Sequence, residues 1–278
     1  MQKTCTLSVL KVYLLNAFLA GGAIVMLAPF VWMLSLSLKP ENEIYTPFIK
    51  LLPEVWDFEN YREAVNYGET GKFVFNGIVV TGSILLLQYL TIIPGAYVLA
   101  RKRFRLEKLC FALVLAALMI PQHIAAIPLF MLMGRLSLLN TYTALILPFM
   151  TSAFGLFLLR QSFKALPQDL IDAARIDGAS EAYALFAILV PQIFPALAAF
   201  SVFSIVSHWN DFFWPLLVVS DMELATPPLG VSIFASDEGG NDVGPMMASA
   251  TLIVLPLMLV FLAARKRFVQ GMTMTGLK

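Results

Sequence analysis

Few side chains in this sequence could do covalent or metal chemistry. The imidazoles are His123 and His208, and the thiols are Cys5 and Cys110. No Cys/His cluster has metal-ligand spacing, and two cysteines are too few for a disulfide framework. The nearest approach to a phosphate-binding loop is Gly271-Met-Thr-Met-Thr-Gly276. It has Leu277 where a lysine is required, and no strand precedes it. What remains is a set of uncharged polar residues inside apolar stretches: Asn76, Gln88, Gln122, Thr151, Ser152, Gln192, Ser201 and Ser204. Their amides and hydroxyls suit hydrogen bonds to a sugar or polyol. They equally suit bonds between helices.

The elements that hold these residues follow from composition. Hydrophobic residues make up 59% of the 278 and charged residues 13%, with a mean hydropathy of +0.79. Soluble domains carry about 45–50% apolar and about 25% charged residues. The balance excludes an ordinary soluble enzyme and predicts an all-α polytopic membrane protein. A net charge of +1 leaves no basic surface for nucleic acid. A spanning helix needs roughly 20 apolar residues. Six stretches without a charge qualify, at about 12–38, 73–99, 109–133, 138–159, 184–206 and 246–264. The first is too long for a signal-peptide core of about 7–15 residues. It is expected to be a retained anchor, although Gly21-Gly22-Ala23 resembles a cleavage site.

Charge fixes the expected orientation. With both termini inside, the cytoplasmic segments hold 14 of the 19 Lys and Arg but only 5 of the 18 acidic residues. Such a bias marks the cytoplasmic side. Arg101-Lys102-Arg103 and Arg265-Lys266-Arg267 anchor two inner ends. The external loop 39–72 is long enough for a small cap with short helices. Loop 207–245 contains the turn cluster Gly239-Gly240-Asn241-Asp242. Eight prolines lie within the spans: 29, 94, 121, 128, 148, 191, 195 and 256. Each removes a backbone donor and favours a kink, whether for packing or around a pathway. His123, Gln122, Gln192 and Ser201 are the candidates to line such a pathway. Beside Pro121, His123 could instead bond a freed carbonyl.

The most informative stretch is the cytoplasmic run Leu166–Ser180. Pro167 suits a first helical position, and Gln168 and Asp169 suit a first turn. Asp177-Gly178 is a stop signal, with Gly178 available for a left-handed cap. Ser180 can cap the following helix. The spacing predicts a short helix over about 167–176, hanging between the fourth and fifth spans. Its small residues (Ala173, Ala174, Gly178, Ala179) and polar corners (Asp169, Asp172, Arg175, Asp177) suit insertion into a cleft on another protein. A plain amphipathic interfacial helix is the alternative.

This run resembles the EAA loop of binding-protein-dependent (MetI-like) ABC importer permeases. The match is Asp172-Ala173-Ala174, Gly178, Ile188, Val190 and Pro191, with Asp replacing the usual Glu and Val replacing Leu. Trp209-Asn-Asp-Phe-Phe-Trp-Pro-Leu-Leu217 and Lys266-Arg-Phe-Val-Gln-Gly-Met-Thr273 are similar to segments of the carbohydrate-uptake branch. That branch includes the second permeases of maltose-type and glycerol-3-phosphate-type importers. The resemblance implies a single permease domain over 1–278. It implies that Asp172, Ala173, Ala174, Asp177, Gly178 and Ala179 form a coupling helix seated on an ATPase. It also implies a second permease, a dimeric ATPase and an external solute-binding protein as partners, in a bacterial inner membrane. No cofactor is expected on this chain, since ATP-Mg would act on the ATPase subunits. The competing reading is an ion-coupled secondary transporter or channel. Such proteins usually carry ionisable residues inside the membrane, and the six stretches contain no Asp, Glu, Lys or Arg.

Overall fold

The structure, a computed structural model, describes residues 2–47, 50–232 and 242–274, with side chains described for 11–47, 50–121, 123–232 and 242–262. Among these, the regular structure is helical. The chain divides into two compact units, Met1–Thr70 with Val231–Val254, and Gly71–Gly230 with Leu255–Lys278.

The first unit begins with α1 (Gln2–Leu36). Its apolar stretch Lys11–Leu36 is long enough to cross a bilayer, and none of its most apolar window is buried. Pro29 sits inside the helix without ending it. The expected cap then folds around α2 (Glu41–Ile44) and α3 (Glu59–Asn66). Asn60 holds the turn after α1 by donating to the carbonyls of Ser37 (3.2 Å) and Lys39 (2.9 Å). Glu43 accepts from the backbone N–H groups of Glu54 and Val55, both at 3.0 Å. These bonds satisfy loop backbone that has no ladder or helix to do so. The Gly239–Asn241 part of the expected turn cluster lies outside the described residues.

The second unit is organised on α4 (Thr70–Arg101), a continuous helix despite Pro94. Its 32 residues span about 48 Å at 1.5 Å per residue, against roughly 30 Å of hydrocarbon. After it come α5 (Glu107–Met119), a 3₁₀ turn (Gln122–Ala125), α6 (Ala126–Arg135), α7 (Tyr142–Ile146), a second 3₁₀ turn (Leu147–Phe149) and α8 (Ala153–Ala165). The short α9 (Asp169–Ile176) leads through α10 (Glu181–Tyr183) into a π-helical stretch, Ala184–Leu189. Then follow α11 (Val190–Gln192), α12 (Phe194–Trp209), α13 (Phe213–Val218), a 3₁₀ turn (Met222–Leu224) and α14 (Pro227–Val231). The last helix is α15 (Val243–Met274).

The stretches 73–99 and 246–264, like 12–38, fall on continuous helices. The other three do not. Stretch 109–133 bends by 92° between α5 and α6, 138–159 by 41° before α8, and 184–206 by 78° between α11 and α12. The cause is local. Pro121 forces Ile120 into extended backbone (φ −85°, ψ 119°), since the residue before proline is driven out of the helical region. The other two breaks differ: Leu147 and Val190 stay helical before Pro148 and Pro191, and the chain turns at 150–152 and at Ile193, between Pro191 and Pro195. The carbonyls freed at the second break find side-chain donors on α4. Gln88 Nε2 donates to Phe149 O and Thr91 Oγ1 to Met150 O, both at 3.0 Å. Ser152 Oγ caps α8 by accepting from Gly155 N at 3.1 Å.

Two apolar clusters pack along α4. Val80 and Ile84 meet Ala126, Met133, Ala144, Leu145, Trp214 and Val218 near one end. Ile92, Ala96 and Tyr97 meet Leu159, Phe163, Ile171, Leu189 and Phe200 near the other. Gln88 lies between them.

Candidate functional site

The α9 loop is built much as its spacing predicts, with one shift. The helix starts at Asp169, so Pro167 lies just outside it. Gln168 occupies the capping position, and its carbonyl accepts from Ile171 N and Asp172 N. At the other end Gly178 takes a left-handed φ of +74°. Gly178 N donates to Arg175 O and Ala179 N to Ala174 O, the paired bonds of a Schellman ending. Ser180 Oγ accepts from Tyr183 N at 3.2 Å and starts the next helix. Ile171 and Ala174 are buried, while Asp172, Ala173, Asp177 and Gly178 are exposed. Ile176 is 85% exposed. A large aliphatic side chain this open on the small-residue face is a feature the sequence reading missed. Its position is consistent with helical spacing, since Ile176 lies five residues after the buried Ile171 and so off the buried face.

A cavity of about 530 Å³ lies inside the second unit, lined from α4, α5, the breaks at 120–126 and 148–153, α12 and the 211–214 turn. Its polar lining is Gln88, His123, Thr151, Ser152, Ser204, Ser207, His208 and Asp211. Phe149, Phe154, Phe203, Phe213 and Trp214 supply aromatic walls. Gln88 is 3% exposed and fully engaged. Besides Phe149 O, its amide meets His208 Nε2 at 3.3 Å, and its Oε1 accepts from Ser204 Oγ at 2.6 Å. His123 packs against Phe213 (centroids 4.8 Å apart) and His208 against Phe149 (4.9 Å). Asp211 Oδ1 accepts from Trp214 N at 3.3 Å. Burial pushes the Asp211 carboxyl up, opposed by the amides of Trp214 and Phe213 and by the nearby His123. Among the described lining residues there is no Lys or Arg.

Of the four pathway candidates, His123 reaches this cavity. Ser201 is turned toward α4, bonded to Tyr89 OH and to Leu197 O. Gln192 is exposed at the break before α12. The side chain of Gln122 lies outside the described residues. His208, Asp211 and the aromatic walls were not singled out as lining, because the chain breaks that gather them cannot be placed by hydropathy alone.

Fold and site together describe a helical protein with three to six candidate membrane spans, a polar and aromatic cavity, and a short helix, α9, with an exposed small-residue face. The chain belongs to the family described as binding-protein-dependent transport system inner membrane component, whose model matches residues 92–274. It is similar to the arabinooligosaccharides transport system permease protein AraQ of Bacillus subtilis, 34% identical with 95% of each chain covered. It is also similar to the sn-glycerol-3-phosphate transport system permease protein UgpE of Pectobacterium atrosepticum, 34% identical over 83% of this chain and 85% of that one. In fold it matches a crystal structure of a bacterial ABC transporter involved in the import of the acidic polysaccharide alginate. The TM-score is 0.83 at 24% identity, over 92% of this chain and 95% of that one. The protein is an inner-membrane permease subunit of an ABC importer, a transport component and not an enzyme.

Proposed function

We propose that this permease crosses the membrane six times with both termini inside, and that α9 seats on an ATPase subunit which supplies the energy. The exposed, small-residue face of α9, closed by the left-handed Gly178, carries this reading. The three bent helix pairs make up the six crossings with α1, α4 and α15, and the Lys/Arg bias supports the orientation. A second, homologous permease, a pair of ATPase subunits and an external solute-binding protein complete the importer. The Gln88–Ser204–His208 cavity lies on the solute path. Amides, hydroxyls and aromatic faces without a cation favour an uncharged oligosaccharide, since a phosphate or carboxylate calls for Arg or Lys.

Two measurements test this reading. Gly178→Leu in the reconstituted importer should abolish uptake and weaken ATPase association, and full uptake with normal assembly would overturn the role of α9. In proteoliposomes with internal ATP, an arabino-oligosaccharide should compete for uptake and glycerol 3-phosphate should not. The reverse order would overturn the substrate class.

A further inference from the structure

The chain connections of α9 are poor levers. Upstream, α8 follows a 41° break, and downstream α12 lies beyond a π-helical stretch and a 78° bend. Along the chain, then, no straight helix runs from α9 through either joint. The unbroken element beside it is α4, whose last turns bond both flanks of α9, while Ile171 also packs with Leu185 and Leu189 of the π-helical stretch.

Three groups make the connection. Arg101 donates through Nη2 to the carbonyls of Phe163 and Leu166, and through Nη1 to Gln168 Oε1 at 3.1 Å. One guanidinium thus holds the orphan carbonyls at the end of α8 and the residue that opens α9. Tyr97 OH donates to Glu181 Oε1 at 3.1 Å, and Lys102 pairs with the same carboxylate, which fixes the segment leaving α9. Between them the buried Ile171 of α9 packs with Tyr97 and Phe163. Arg160, 7% exposed, returns the clasp from α8 by donating from Nε to Leu99 O at 2.9 Å.

The same helix reaches the other points of interest. Midway it places Gln88 in the cavity. At its far end Asn76 donates to Glu223 O (2.9 Å) and Ala225 O (3.0 Å), and Lys72 pairs with Glu223 at 2.8 Å. We propose that Arg101, with Tyr97 and Lys102, makes α9 and α4 one rigid piece. Displacement of α9 is then delivered to the cavity and to segment 221–226 through α4, and not along the chain through α8 and α12. Arg101 is a positioning residue in this scheme. It touches no solute and no nucleotide, and it decides whether motion of α9 is transmitted. The proposal rests on the reading of α9 as the ATPase contact.

The test is hydrogen–deuterium exchange on the assembled importer in lipid nanodiscs, nucleotide-free and then trapped with ATP and vanadate. In the native complex, backbone protection of segment 219–226 should change on trapping. In Arg101→Ala that response should be lost while the ATPase still copurifies and hydrolyses ATP. Arg101→Lys, which keeps the charge but cannot reach all three acceptors, should restore part of it. Should Arg101→Ala fail to assemble, the milder pair Tyr97→Phe with Lys102→Ala serves in its place. A full response in either variant, or no response in the native complex, overturns the proposal. Gly178→Leu separates the two claims: normal ATPase capture by that variant overturns the reading of α9, whereas defective capture beside an unaltered response in Arg101→Ala overturns only the clasp.

Discussion

Gly178 and Gln88 are the residues on which the two halves of the site depend. At Gly178 a Cβ would meet nothing within 4 Å, so only the φ of +74° resists substitution. Gly178→Ala should therefore cost about 1–2 kcal/mol, the penalty for a side chain in left-handed backbone. It should lower the thermal midpoint in detergent yet still capture the ATPase. Gln88 answers to different physics. Its amide is buried and serves Phe149 O, Ser204 and His208 at once. Gln88→Leu strands those groups and should destabilise the protein by about 1–3 kcal/mol, read as a fall in the same midpoint. Asp177-Gly178 was legible in the sequence because a helix stop is local. The role of Gln88 was not, because its partners come from a chain break and from α12, more than a hundred residues away.

Helices are the scale at which the sequence said least about shape. Prolines 29, 94 and 256 stay inside continuous helices, whereas 121 stands at a break and 148 and 191 lie two residues before one. The residue type is the same in both groups. At Pro148 the difference is visible in the partners, since α4 offers Gln88 and Thr91 to the carbonyls released there. Such partners are tertiary facts and leave no mark on hydropathy. Close packing adds a second requirement. A Cβ on Gly155 of α8 would sit 2.8 Å from Ile92 Cδ1 and 2.8 Å from Phe200 Cε2. Gly155→Val should overpack this contact by about 1–3 kcal/mol or more. The expected outcome is a lower yield of folded protein and a lower midpoint, while Gly82→Ala inside α4, where a Cβ meets nothing within 4 Å, should leave the yield intact and the midpoint the same or slightly higher.

For the whole molecule, the sequence already carried the class: apolar stretches, charges sorted by sign and the α9 motif agree with the family match. It did not carry the division into two units, which depends on contacts between distant segments. The first unit also has a pH dependence of its own. Burial raises the Glu63 carboxyl, with Asp242 beside it adding to the effect, and burial raises Asp242. Both hold their protons more tightly folded than unfolded. Their contribution favours the fold once pH drops below the raised values, and it is lost as pH rises through them. Exchange protection of segment 57–70 should therefore fall as pH rises from the ordinary carboxylate range toward neutrality, and Glu63→Gln should flatten the curve.

In the proposed importer, energy enters through the exposed face of α9 on the cytoplasmic side. Ile176 and Tyr67 make matched probes, at 85% and 84% exposure; in the proposed topology position 176 is cytoplasmic and position 67 external. A photo-crosslinking amino acid placed at each position in the assembled importer should yield an adduct with the ATPase subunit from position 176 and none from position 67. An adduct from 67, or none from 176, would rule out α9 as the point of ATPase contact.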